Sequence, residues 1–297
     1  MSARNWALLL FLSLLWGGSF LFYKVLVAVL PPLTLVLGRV AIAAIALNLG
    51  LILVGKPVPW SRKNLPRFAL LGLLNNVVPF ILICWGETRI SSGLASILNA
   101  TTPLFLAPLA HILMRDDRLS RAKIVAVMLG FCGVVVLVGP AAFSPGQEIG
   151  GELAVLAAAF IYALGAIYGK SFHDLPALHT ATGQISAATM MMLPLALAID
   201  RPWTLPVPDA PAIAALLAFA LLSTALAYVL FYRLLAAAAA THIALVSFLM
   251  PVHALWLGAV FLHEPVTVPA LAGMALIGVG LFASDGGLLR LVFRPAR

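Results

Sequence analysis

Polar side chains are rare in the long apolar segments of this chain, and those that occur fall at spacings that could build a binding site. In the fourth segment Ser92, Ser96, Asn99 and Pro103 recur at intervals of four, three and four residues, which places them on one helix face. Further polar residues and prolines lie in the third, eighth and ninth segments: Asn75, Asn76, Pro79, Ser223, Thr224, Tyr228, Ser247 and Pro251. A polar group in lipid either lines a cavity or bonds a neighbouring helix, and we expect this set to line one shared cavity.

Prolines and aromatic residues also occur in the middle of segments, where they could contribute to such a cavity. Pro79, Pro103 and Pro251 each remove a helix hydrogen bond, and the freed carbonyls could accept from a substrate ammonium group or could reflect packing alone. Trp16 and Tyr162 lie far from the membrane interfaces where such rings usually occur. Facing inward they would form a stacking wall for an aromatic substrate; the alternative is packing against a neighbouring helix.

Four charged residues are candidates for substrate contact or gating. Lys24 and Arg39 lie within apolar segments, so each side chain either extends to the outer headgroups or contacts a substrate carboxylate or a gate. Asp117 and Glu264 follow the fourth and ninth segments, where we expect helix-capping or gate charges rather than ion-coupling carboxylates. Neither Cys84 nor Cys132 has a second Cys or His at ligand spacing, and no metal or other cofactor is predicted.

Composition identifies the solvent around these residues as lipid. Hydrophobic residues make up 63% of the 297 positions and charged residues only 9%, whereas a soluble domain has about 25% charged residues. The net charge of +8 does not indicate a nucleic-acid partner, because the basic residues lie in short loops and form no basic domain. The expected partners are the bilayer and a small-molecule substrate; the oligomeric state stays open, and a monomer is compatible with the sequence.

Ten segments are long and apolar enough to cross a bilayer as helices. We expect them at Trp6–Ala28, Leu33–Val54, Phe68–Gly86, Gly93–Met114, Ile124–Val138, Leu153–Phe172, Leu178–Ile199, Ala212–Tyr232, Ile243–Leu262 and Val268–Ala283. The first is interpreted as a membrane helix rather than a cleaved signal peptide. With the N-terminus inside, fourteen Lys and Arg residues fall on the inner side and two on the outer side. This bias predicts a multi-pass protein of the cell (inner) membrane with both termini in the cytoplasm.

The two halves of the chain resemble each other, in an order that is preserved along both. The matched features are Trp16–Lys24 with Tyr162–Lys170, Leu30–Gly38 with Leu175–Gly183, Pro103 with Pro251, Asp117 with Glu264, and Gly133 with Gly280. Each half contains five segments, an odd number, so the second half must be inverted relative to the first. We expect an all-α membrane protein of two inverted five-helix repeats, at residues 1–140 and 148–297, which is typical of transporters.

On these residues the sequence resembles the drug/metabolite transporter superfamily, in its EamA-type ten-helix branch, across nearly the whole chain. The resemblance rests on Trp16-Gly17, Lys24, Arg39, Pro103 and Asp117 in the first half, and on Pro251, Glu264, Thr267, Gly273, Ile277 and Gly280 in the second. The first half departs where Asp117 replaces the usual Glu and where Lys123-Ile124 stands near the usual Gly. Within the branch the chain is most similar to the YddG-type exporters of aromatic amino acids.

The resemblance and the residues together predict a secondary transporter rather than an enzyme. We expect an exporter of aromatic or neutral amino acids and related small hydrophobic metabolites that works by alternating access around a central cavity. A nucleotide-sugar or multidrug carrier of the same superfamily is the alternative, although phosphate groups would need an Arg or Lys clamp. A membrane-embedded enzyme would need clustered carboxylates or metal-spaced His, and a channel would carry flux that does not saturate.

Overall fold

The computed structural model describes residues 3–114, 121–138, 148–237 and 240–284, and in these ranges the chain forms ten membrane-crossing helices. The helices of the first half are α1 (Ala3–Leu26), α2 (Pro32–Leu53), α3 (Asn64–Glu87), α4 (Ser92–Leu113) and α5 (Arg121–Val138). Those of the second half are α6 (Glu148–Gly169, extended by a 3-10 turn), α7 (Ala177–Ile199), α8 (210–237), α9 (Ala240–Leu262) and α10 (Val268–Ser284). Asp117 lies outside the described residues.

Apolar composition explains why these segments are helices and why they face lipid. Seven of them are long and apolar enough to cross a membrane, and α5, α9 and α10 contain the shorter apolar stretches Val127–Leu137, Leu249–Leu262 and Val268–Val279. Lipid offers no hydrogen bonds to the backbone, so each segment must satisfy its own. The outer surface is correspondingly hydrophobic; Ile112, for example, is 75% exposed. The prediction of an all-α membrane protein is confirmed.

The packing of the helices repeats between the two halves. Helix α2 packs against its counterpart α7, and α5 packs against its counterpart α10, while α1 packs on α9 as α4 packs on α6. A pseudo-two-fold axis between two five-helix repeats produces this pattern, because each contact made by a helix of one repeat recurs for its counterpart in the other. Ten crossings return the chain to the side where it started, so Ala3 and Ser284 lie on one side, here called the terminal side; the other is the distal side.

The third helix of each repeat contains a π-helical turn at the equivalent position. In α3 the turn covers Leu73–Val77, and in α8 it covers Leu221–Leu226. Single π turns inside α-helices occur mostly at functional sites, because the extra residue redirects the side chains around it. The two turns contain the polar pairs Asn75-Asn76 and Ser223-Thr224. Asn75, Asn76 and Thr224 each hydrogen-bond a residue of the opposite repeat.

Helix α4 breaks while its counterpart α9 stays continuous. The α-helical hydrogen bonding of α4 is interrupted by a turn at Ala100-Thr101, where the backbone dihedral angles stay in the right-handed helical region, and it resumes at Thr102. The ring of Pro103 would collide with the carbonyl of Asn99 in an uninterrupted helix. Hydroxyl groups compensate for the lost backbone bonds: Thr102 Oγ1 donates to the carbonyl of Asn99 at 2.8 Å, and Thr101 Oγ1 donates to that of Leu98 at 2.6 Å. The carbonyl that Pro103 frees is therefore already hydrogen-bonded.

An ion pair on the terminal side joins α3 of the first repeat to the loop between α6 and α7 of the second. Arg67 donates to both carboxylate oxygens of Asp174, at 2.8 and 2.9 Å, and to the carbonyl of Ser171 at 2.8 Å. Hydrogen bonding to the Arg67 guanidinium lowers the pKa of Asp174 to about 2. The carboxyl group stays ionised at any physiological pH, so this bridge is not a pH switch.

Candidate functional site

A cavity of about 670 Å³ lies between the two repeats. It is lined by side chains from the first four helices of the first repeat and from the corresponding helices of the second. The structure places the following residues of the sequence-predicted site in the lining: Trp16, Asn75, Asn99, Pro103, Tyr162, Tyr228, Ser247 and, from the charged candidates, Arg39. Its volume falls within the range of small-molecule binding sites, roughly 300–1,000 Å³.

The cavity reaches an exposed residue on one side of the membrane and ends against buried apolar side chains on the other. On the terminal side the lining reaches Lys170, at the end of α6, whose side chain is exposed. Towards the distal side it ends against Phe80 and Ile83, which are 4% and 3% exposed. Within the described part of the chain, the cavity is therefore accessible from the terminal side in this conformation.

Arg39 lies in the cavity wall, and aromatic side chains surround its guanidinium group. Its side chain is 5% exposed; Nε donates to Thr224 Oγ1 at 2.9 Å, and Nη1 donates to Tyr23 Oη at 2.6 Å. The guanidinium carbon lies 3.7 Å from the ring centre of Phe80 and 4.2 Å from that of Phe219, within cation–π distance. Because Arg39 is buried, it does not extend to the lipid headgroups, which was one of the two alternatives for this residue.

Gln184 occupies the position in the second repeat that Arg39 occupies in the first. Each follows a glycine of the matched Leu-Pro to Gly stretches, Gly38 and Gly183. Gln184 Nε2 donates to Tyr228 Oη at 3.2 Å, and its Oε1 accepts from Asn75 Nδ2 at 3.3 Å. Arg39 and Gln184 thus each bond a side chain on the π-helical turn of the opposite repeat, which is the geometry that the pseudo-two-fold axis requires.

The two mid-segment aromatic residues belong to the cavity wall. Trp16 lines the cavity, and its ring packs at 5.4 Å against Phe231, which lines it too. Tyr162 lines the cavity from α6, the counterpart of α1. Near Tyr162, Gly165 leaves room for the side chain of Asn75, because a Cβ at this position would overlap Asn75 Oδ1. Glycine at 165 is therefore a requirement of the polar contact between α6 and the π-helical turn of α3.

Four residues of the predicted site are buried behind the cavity surface rather than in its lining. Thr224 accepts the hydrogen bond from Arg39, and Asn76 Nδ2 donates to Tyr228 Oη at 3.4 Å. Pro79 and Pro251 are buried within α3 and α9. Thr224 and Asn76 thus support two lining residues, Arg39 and Tyr228, without reaching the cavity themselves.

The distal side is closed by polar contacts that use the two remaining charged candidates. Lys24 Nζ donates to the carbonyls of Glu87 and Ile90, both at 2.8 Å, so this ammonium group caps the C-terminal end of α3. Glu264 accepts from Ser92 N at 3.0 Å and from Ser92 Oγ at 2.7 Å, and so caps the N-terminus of α4. Both contacts lie on the distal side, beyond the end of the cavity, and neither Lys24 nor Glu264 lines the cavity.

Sequence reasoning missed several residues of this site. Tyr23, Phe80 and Phe219, which surround Arg39, are aromatic residues in apolar helices and have no sequence signature that separates them from packing residues. Gln184 had a usable signal, because the repeat alignment that pairs Gly38 with Gly183 also pairs Arg39 with Gln184. Glu87, which lies at the distal end of α3 and outside the cavity lining, was missed as well; it is fully buried, and its carboxylate oxygens have no hydrogen-bond partner among the described residues.

Two inverted five-helix repeats around a central cavity, with paired interruptions in the third helices, define the architecture of a secondary transporter. The sequence pattern of the EamA-like transporter family matches the chain twice, at residues 4–139 and 149–284. The chain therefore belongs to the EamA-like transporter family, a family of transporters and not of enzymes.

Relatives in bacteria and archaea match nearly the whole chain. An uncharacterized transporter of Archaeoglobus fulgidus is 28% identical over 94% of this chain and 98% of its own length. A probable amino-acid metabolite efflux pump of Salmonella typhimurium is 29% identical over 97% of this chain and 96% of its own length. A solved crystal structure with 17% sequence identity shares the fold, with a TM-score of 0.69 over 97% of this chain and 99% of that one.

Proposed function

We propose that this protein exports aromatic and other neutral amino acids, and related small hydrophobic metabolites, by alternating access. The observation that carries the proposal is the composition of the central cavity. Its wall combines the rings of Trp16 and Tyr162 with the amides of Asn75 and Asn99 and with a single buried cation, Arg39. Rings suit an apolar side chain, while amides and a guanidinium suit the polar groups of an amino acid.

Two similarities support this substrate class. The Salmonella typhimurium relative is named as a probable amino-acid metabolite efflux pump, and within the EamA-type branch the sequence resembles the YddG-type exporters of aromatic amino acids. Asn99 lines the cavity and adds a polar amide to its wall. An amide can both donate to and accept from the polar groups of an amino acid.

The cavity is less suited to the two other substrate classes of the superfamily. A nucleotide sugar carries at least two phosphate charges, whereas the deep part of the cavity presents Arg39 alone, and Lys170 lies at its exposed end. A cationic drug would be repelled by a buried guanidinium that forms no ion pair within the described residues. A zwitterionic amino acid has a carboxylate that suits Arg39 and an ammonium group that suits the amides of Asn75 and Asn99.

The proposed transport cycle follows from the two repeats, which we place at residues 1–140 and 148–297. With both termini in the cytoplasm, as the distribution of Lys and Arg predicts, the terminal side is cytoplasmic and the cavity faces the cytoplasm in this conformation. Rocking one repeat against the other would open the layer of Phe80 and Ile83 and would close the side of Lys170. An exporter loads its substrate in the cytoplasm-facing state.

The test is counterflow transport by purified protein in liposomes. Liposomes loaded with unlabelled phenylalanine should accumulate labelled phenylalanine and tryptophan with saturating kinetics, and leucine more slowly. Liposomes without protein, and liposomes loaded with a UDP-sugar or with ethidium, serve as controls. Exchange of the UDP-sugar or of ethidium, with no exchange of any amino acid, would contradict the proposal.

A further inference from the structure

Arg39 is a buried cation that lacks an anionic partner. Among the described residues the ion pairs are Lys63–Asp174 and Arg67–Asp174, both on the terminal surface and neither involving Arg39. Its two side-chain hydrogen bonds go to neutral hydroxyl groups, those of Thr224 and Tyr23. Buried charges in proteins are normally paired, because an unpaired charge loses its hydration without compensation. No carboxylate of the described residues therefore contacts this guanidinium, and the buried Glu87 carboxylate acts on it only at longer range.

A molecule bound in the cavity could supply the negative charge that Arg39 lacks. A guanidinium carries five N–H donors in a planar fork that matches both oxygens of a carboxylate, and Arg39 uses donors on two of its nitrogens. The Arg39 side chain lines the cavity, which is accessible from the terminal side, so its remaining donors are available to a molecule in the cavity. Phe80 and Phe219 pack against the guanidinium and hold it in place.

The second repeat shows that the charge is specific to one end of the cavity. At the equivalent position it carries the neutral Gln184, whose amide is already bonded to Asn75 and Tyr228. A pair of symmetric positions with one cation and one neutral amide distinguishes the two ends of a bound molecule. It favours a ligand with a single anionic group over a neutral ligand and over one with anionic groups at both ends.

We propose that Arg39 binds the carboxylate of the transported molecule and thereby selects monocarboxylates. The proposal rests on the function proposed above and adds the residue that recognises the substrate class. The bound carboxylate supplies the charge that Arg39 lacks, and the rest of the ligand extends toward Trp16, Tyr162 and Asn99. Removing the negative charge from the ligand should weaken binding far more than removing its ammonium group.

The experiment compares three ligands of nearly the same shape on the purified protein. L-Phenylalanine has both charged groups, 3-phenylpropionate keeps the carboxylate without the ammonium group, and L-phenylalaninamide keeps the ammonium group without the carboxylate. Ligand-dependent shifts in thermal unfolding give each dissociation constant. We expect phenylalaninamide to bind about 10- to 100-fold more weakly than phenylalanine, as the loss of a charge-assisted hydrogen bond predicts.

Two variants test whether Arg39 causes the preference for phenylalanine over phenylalaninamide. In Arg39→Gln, which copies the residue of the second repeat, the preference for phenylalanine over its amide should fall to about one. Arg89→Gln makes the same change at a partly exposed arginine that packs on Trp85 outside the cavity, and it should keep the preference. The comparison within the unaltered protein remains decisive if Arg39→Gln fails to fold.

The outcomes separate the two proposals. Equal binding of phenylalanine and its amide overturns the role of Arg39 while leaving amino-acid transport intact. Binding of 3-phenylpropionate that depends on Arg39, without binding of phenylalanine, supports the carboxylate site and contradicts amino-acid export. Absence of binding by every carboxylate in the panel overturns the carboxylate site.

Discussion

At the residue scale, the cavity wall combines rings that could stack with a substrate and polar groups that could bind its charged ends. Trp16 and Tyr162 occupy equivalent positions of the two repeats and line the same cavity. Trp16 also packs on Phe231, so its ring is held in place before a substrate arrives. A ring that is already ordered loses little side-chain entropy when a ligand stacks on it.

Replacing either ring should change selectivity more than overall transport. A stacked aromatic pair contributes about 0.5–1.5 kcal/mol beyond the area it buries, so Trp16→Leu or Tyr162→Leu should weaken binding of phenylalanine and tryptophan by about 2- to 12-fold. Leucine transport should fall less, because the leucine side chain at either position still fills apolar volume. The measurement is the ratio of phenylalanine to leucine uptake in liposomes at equal protein content. An unchanged ratio in both variants would show that these rings serve packing alone.

At the scale of elements, close helix contacts between the repeats depend on particular glycines. A Cβ on Gly17 would lie 2.7 Å from the backbone oxygen of Met250 and 2.8 Å from His253 Cβ, both in α9. The neighbouring Gly18 is different, because its Cβ would meet only Leu257 Cδ1, at an ordinary contact distance of 3.6 Å. The two glycines are adjacent in α1, so they form a matched pair for testing the packing of α1 on α9.

Gly17→Ala should destabilise the protein and Gly18→Ala should not. Overpacking against a backbone atom costs about 1–3 kcal/mol, whereas Ala in place of Gly inside a helix contributes about 1 kcal/mol of stability. We therefore expect a lower thermal unfolding temperature for Gly17→Ala in detergent, and an equal or higher one for Gly18→Ala. Equal unfolding temperatures for the two variants would mean that α1 and α9 are not in this close contact.

The helices could be predicted from sequence because lipid leaves the backbone no other solution, and the observed ends lie within a few residues of most predicted ones. The π-helical turns Leu73–Val77 and Leu221–Leu226 could not be predicted, since they add one residue to a turn without changing composition. The polar face of α4 could be predicted from the spacing between Ser92 and Pro103. The sequence did not show that Glu264 caps this helix at Ser92, because the two residues are 172 positions apart. Contacts of such sequence separation follow from the docking of the two repeats, which no local pattern encodes.

At the scale of the whole molecule, the orientation in the membrane decides which conformation the structure represents. The distribution of Lys and Arg predicts a cytoplasmic C-terminus, and an even number of crossings requires the N-terminus to lie on the same side. Alkaline phosphatase, which is active only outside the cytoplasm, should be inactive when fused after Arg297 and active when fused in the loop after Glu87. High activity after Arg297 would reverse the orientation, and the cavity would then face outward.

The central claim is that one cavity between the repeats binds the substrate, and the symmetry-related lining positions Asn99 and Ser247 test it most directly. Single cysteines are placed there by Asn99→Cys and Ser247→Cys, in a protein that also carries Cys84→Ala and Cys132→Ala. Ile45→Cys, in the middle of α2 and 60% exposed on the outer surface, provides the control. A small charged thiol reagent should modify both cavity cysteines and not the control, and phenylalanine should slow both reactions at concentrations that saturate transport. Unreactive cavity cysteines in a protein that still transports, or reaction rates that phenylalanine leaves unchanged, would contradict a shared central binding site.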